Sequence, residues 1–137
     1  MSADVRALGR GVVVRYTGTV SAEGVFAAVD ALAAHEAFGP DVPTLWDFSA
    51  TAGVGLHADQ MRQLALRVST LRDGADSPRL GLLMSGDAEF GSARMFVGMN
   101  ESRLPHHFRV FRDSTEAYDW TLDVDPAPVP DAEAQDG

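Results

Sequence analysis

Between the apolar run ending in Trp46-Asp47-Phe48 and a helical pattern that begins near Ala58, the stretch SATAGVGLHADQ gathers several residue types that can do chemistry. Gly53-x-Gly55-x-x-Ala58 has a glycine spacing that can cradle a dinucleotide phosphate. Ser49 and Thr51 carry hydroxyls that could accept a phosphoryl group, and Asp47 and His57 are the groups that could serve as bases. The dinucleotide reading fails on context. Such a fingerprint needs its first glycine at a strand end and an acid about 20 residues later at the tip of the next strand. Here the expected strand stops several residues before Gly53, and Asp73 and Asp76 fall in a helix terminus and a loop. The segment Ser49 to His57 therefore reads as a glycine-flexible loop, with Ser49 and Thr51 satisfying its backbone groups.

Metal and hydrolase chemistry fare no better. His106 and His107 are neighbours in an expected strand, so their side chains point to opposite faces. His35 and His57 have no acid or histidine at helical ligand spacing. There is no G-x-S-x-G elbow, and Gly91-Ser92 lies within an expected helix. Cysteine is absent, which removes thiolate ligands, a cysteine nucleophile and disulfides. No nucleophile stands beside a base, so the expectation is a non-enzyme with no catalytic residues, no metal and no cofactor.

The elements that must position these groups follow from periodicity. Val5 to Tyr16 reads as a hairpin around Gly9-Arg10-Gly11. Ser21 is the expected N-cap of a first helix with Val25, Val29 and Leu32 on one face. TLWDFS is a short buried strand, and Met61, Leu64, Ala65, Val68 and Leu71 mark a second helix. Leu80 to Met84 reads as a central parallel strand, Ala88 to Arg103 as a third helix, and His107 to Arg112 as a last strand. Asp113-Ser-Thr-Glu116 has the form of a capping box that opens a short helix through Trp120. A hairpin followed by alternating helices and strands specifies an α/β domain with a mixed, mostly parallel sheet and about four helices. In the third helix, Phe90, Ala93, Val97 and Leu104 share one side, Met95 and Met99 another, and Phe96 lies between. Arg94 is on neither stripe, either reaching a carboxylate such as Asp47 or Glu101 or remaining a solvated charge.

The chain has 137 residues and a net charge of −9, the size of one domain with an acidic surface that disfavours nucleic acid and anionic lipid. Residues 1–122 form the expected domain. Residues 123–137, DVDPAPVPDAEAQDG, carry five acids and no base and read as a disordered tail. There is no membrane-length apolar run and no signal-peptide block, so the expected location is cytoplasmic.

The strings TLWDFSATAGVGLHADQMRQLA, RLGLLMSGDAEFGSARMF and HHFRVFRDSTEAYDW together resemble the SpoIIAA-like group of the STAS superfamily, over roughly residues 4 to 122. The resemblance implies a bacterial protein with a SpoIIAA/STAS-like sheet of four or five strands and helices mainly on one side, a fold shared with CRAL-TRIO lipid carriers. It also implies a regulatory or protein-interaction domain. In anti-sigma factor antagonists of this superfamily, a serine at the start of the second helix is phosphorylated by a partner kinase. Counted from Asp47, that position falls on Gly55, Leu56, His57 and Ala58, none of which has a hydroxyl, so the serine switch is expected to be missing. The expected contact surface is Asp47, Ser49, Gly55, Leu56 and His57 with Arg94, Met95, Phe96 and Met99, taking a protein partner or a second copy in a homodimer. The alternative is a carrier or sensor of a small apolar or acyl ligand, held between the helices bearing Met61, Leu64, Met95, Phe96 and Met99.

Overall fold

Gly9 and Arg10 form a two-residue connection between β1 (Ser2–Leu8) and β2 (Gly11–Ser21), which pair antiparallel from Ser2↔Thr17 to Leu8↔Gly11. Gly9 has φ +59°, a conformation open to glycine because it lacks a Cβ. The computed structural model describes residues 2–39, 41–55, 57–71, 79–84, 86, 90, 91, 93–95, 98 and 107–125. After the hairpin come α1 (Ala22–Ala34), β3 (Thr44–Gly55), α2 (Ala58–Leu71), β4 (Arg79–Leu83), β5 (His107–Phe111) and α3 (Ser114–Leu122). Helical backbone is also present at Phe90, Gly91, Ala93, Arg94, Met95 and Gly98, between β4 and β5. The sheet order is β1-β2-β3-β4-β5, and every pair after the first is parallel.

Each parallel step requires a crossover, and crossovers of one hand in one direction put their helices on one face. Alternation along the strands then divides the side chains between two cores. Val12, Val14 and Tyr16 of β2 and Trp46 and Phe48 of β3 meet the buried faces of α1 and α2, together with Ala93. Val25, Val29, Leu32, Leu64 and Val68 form those faces, as their helical spacing requires. Arg67 of α2 joins the two helices through Asp30 of α1 and lies over the Phe26 ring. Val13, Leu45, Leu83 and Phe111 point the other way and are covered by Ala117, Tyr118 and Leu122 of α3.

Both expected caps are present. Ser21 accepts from the Gly24 N–H at 3.1 Å, and Asp113 accepts from the Thr115 N–H at 2.9 Å. Boundaries differ at the hairpin and after Phe48: β1 starts at Ser2 and β2 runs past Tyr16 to Ser21, and of the expected loop Ser49 to His57 the part Ser49 to Gly55 is the second half of β3, paired with β2 as far as Ser21↔Gly55. Between Arg15↔Asp47 and Thr17↔Ala50, and again between Gly18↔Thr51 and Thr19↔Gly53, β3 has one residue more than β2. These bulges let the ladder continue through a sequence with no apolar alternation. Gly53 is thus a strand residue opposite Thr19 rather than a turn.

Gly81 lies beneath α3, where an added Cβ would collide with the Thr121 hydroxyl and stand 3.0 Å from Leu45 Cδ1. Gly81→Ala is therefore expected to lift α3 and cost about 1–3 kcal/mol, read as a lowered urea midpoint at unchanged slope.

Candidate functional site

Asp47 follows Leu45 on the same face of β3 and is 2 % exposed, so its carboxylate is carried into the space beneath α3. A buried carboxylate must have its lone pairs filled. Oδ1 accepts from the Ser49 N–H at 2.9 Å and the Ser49 hydroxyl at 2.6 Å. The bulge makes this possible by turning the chain just after Asp47, in the manner of an Asx turn. Oδ2 accepts from the Tyr118 hydroxyl at 2.5 Å, and Arg15 Nε stands 3.5 Å from it. Arg15 is Asp47's register partner in β2 and shares the face of Val13. Each carboxylate oxygen thus faces two donors.

The phenol of Tyr118 is held neutral. Burial first, then the hydrogen bond to Asp47 and the charge of Asp47, push it well above the ordinary value of 10.0, against the opposing pull of Arg15 and Arg6. In the other core, burial raises Tyr16 in the same direction. Tyr16 stacks on Phe48 with ring centres 4.4 Å apart, and its hydroxyl has no hydrogen-bond partner among the described residues.

The other expected site residues are spread over the molecule. Ser49 is exposed at the end of the Asp47 network, and Thr51 donates to the Phe48 carbonyl. Gly55 closes the β2–β3 ladder opposite Ser21. His57 is exposed, and its N–H donates to Gln60 Oε1, half of a capping box that starts α2. His35 ends α1, where its Nδ1 accepts from the Ala37 N–H. Among the described residues, no three of His, Asp and Glu form a group that could hold a metal ion. Nor is any described helix long and apolar enough to cross a membrane.

Arg94 and Asp47 are not brought together. Asp47 faces α3, whereas Ala93 and Phe90 pack in the opposite core, and Arg94 is exposed with its guanidinium 6.0 Å from the Phe90 ring centre. Met61 is buried and Leu64 belongs to the core beneath α1 and α2, but Met95 is 52 % exposed. Leu56, Phe96, Met99 and His106 lie outside the described residues, as do residues 126–137 of the expected tail. Arg15 and Tyr118 were not legible as partners of Asp47. Period-two alternation signals Arg15, since it shares a face with Val13 as Asp47 does with Leu45, but Tyr118 depends on where α3 lands.

Removing the Tyr118 hydroxyl leaves one buried Asp47 oxygen short of a donor. Tyr118→Phe is expected to cost about 2 kcal/mol, measured by urea unfolding, with α3 the first element to lose amide protection in hydrogen exchange. A second outcome follows from the two raised phenols, which are the chain's only tyrosines. Below pH 10.0 folded and unfolded chains both hold these protons and stability is intact. Above it the unfolded chain releases protons that the folded chain retains, so stability falls as pH rises, approaching about 1.4 kcal/mol per pH unit per tyrosine. The chain has neither lysine nor cysteine to titrate alongside. Tyrosinate absorbance should therefore appear together with loss of circular dichroism, and Tyr118→Phe should halve the slope.

No protein-family model matches the chain, and no curated protein matches it significantly. Among solved structures, it is similar to an uncharacterized protein of the DUF3478 family with a SpoIIAA-like fold from Shewanella loihica PV-4. The two share 17 % identity over 88 % of this chain and 92 % of that one, with a TM-score of 0.55. The five-stranded mixed sheet with its N-terminal hairpin is thus a SpoIIAA-like fold, the one that the sequence resembles.

Proposed function

We propose that the chain is a non-enzymatic STAS-like regulatory domain that works by binding a protein partner or a second copy of itself, without a serine switch at the start of α2. The observation that carries this reading is the state of Asp47. Both oxygens are committed to Ser49, Tyr118 and Arg15, so the best-placed carboxylate in the fold is used to seat α3 and has no lone pair to spare for a substrate proton. Ser49 in the middle of β3, His57 just past its end and Met95 on the helical stretch between β4 and β5 are all exposed and open to a partner. Arg94, Gly55, Leu56, Phe96 and Met99 complete the proposed surface.

A second reading, a carrier of a small apolar or acyl ligand, draws on one observation. The Tyr16 hydroxyl is fully buried beside the Trp46 and Phe48 rings without a partner among the described residues, an unused donor that a ligand carbonyl would satisfy.

Native mass spectrometry of protein taken from its own host, with sedimentation velocity over a wide concentration range, separates the two. A protein complex that Met95→Glu weakens about tenfold or more, at unchanged thermal unfolding, is the expected result. A monomer at every concentration overturns the leading reading. A co-purifying acyl mass that Tyr16→Phe releases establishes the second.

A further inference from the structure

Three guanidinium groups converge on Trp120, in the last turn of α3. Arg79 and Arg109 lie over the indole, their guanidinium carbons 4.9 and 5.4 Å from the ring centre, and Arg109 also lies 4.8 Å from that of Phe111. Arg10 and Arg79 donate to the Trp120 carbonyl at 3.0 and 2.6 Å. None of the three has a carboxylate partner among the described residues, although the whole chain carries a net charge of −9. The carbonyls at a helix end amount to only about half an elementary negative charge, so a cationic surplus remains around the indole. Arg10 and Arg109 are exposed, and Arg79 and Trp120 are half-buried.

The chain that leaves this spot is complementary to it. Asp123 ends α3 in the left-handed conformation, and Val124 packs against the hairpin where Gly9 leaves no room for a side chain. Asp125 follows, and then PAPVPDAEAQDG, with three prolines, three carboxylates and no base. Such a segment has too few apolar side chains to build a core of its own. Its prolines restrict the backbone to extended conformations, which lowers the entropy lost on docking, and proline-rich segments seat on aromatic side chains. At about 3.1 Å per residue, Asp131 can reach roughly 19 Å from Asp125, enough to cross one indole and its flanking arginines.

We propose that residues 126–137 fold back on their own domain, laying Pro126, Pro128 and Pro130 along Trp120 and setting Asp131, Glu133 and Asp136 against Arg10, Arg79 and Arg109.

The chain has no cysteine, so Ala134→Cys in the full-length protein gives a single attachment point for a nitroxide. Paramagnetic broadening of the Trp120 indole N–H is expected at low salt and should fall by roughly half or more between about 0.02 and 0.5 M salt. It should fall equally in Arg109→Gln and in the tail variant D131N/E133Q/D136N. Broadening that ignores both salt and these substitutions, as for a tail merely passing by, overturns the proposal. So does broadening confined to mixtures of spin-labelled and isotope-labelled chains, which would place the tail on a second copy.

Discussion

A carboxylate can be taken out of water only where donors replace the water, and at Asp47 that requirement organises one whole side of the molecule. The donors come from three separate elements. Arg15 is supplied by register with β2, Ser49 by the bulge in β3, and Tyr118 by the angle at which α3 lies on the sheet. No one of these can shift without leaving a buried oxygen short of a donor. The network is thus less a reservoir of stability than a specification of how a nine-residue helix sits on the sheet.

The two faces solve the packing problem differently. Beneath α1 and α2 the core is large and almost wholly apolar, with aromatic rings stacked from Tyr16 to Trp46 and Phe48. Beneath α3 it is thin, and polar contacts fix what apolar area alone cannot. Asp47 holds Tyr118 in the middle of that helix, while Arg10 from the hairpin and Arg79 from β4 bond the carbonyls near its end. The last turn of α3 contains no basic residue, so the positive charge that complements its dipole is borrowed from across the fold.

Local features were read correctly from the chain: the Ser21 and Asp113 caps, the stripes of α1 and α2, and the apolar β4. They depend on neighbours in sequence. The continuation of β3 beyond Phe48 escaped because its sequence is glycine-rich and unpatterned, and only the ladder offered by β2 makes it a strand. The partners of Asp47 escaped for a related reason. Asp47 was expected on a contact surface, and neither its burial beside Leu45 nor the tyrosine that meets it from 71 residues away shows in the sequence. Arg94 and Asp47, expected within one contact surface, belong to opposite faces.

Ser21 has three duties at once. It is the last residue of β2, the partner of Gly55 at the tip of the sheet, and the side chain that caps the first turn of α1. No slack separates the strand from the helix. A partner that peels the end of β3 away would therefore loosen α1 by the same movement, which makes this corner of the fold a lever rather than a loose end.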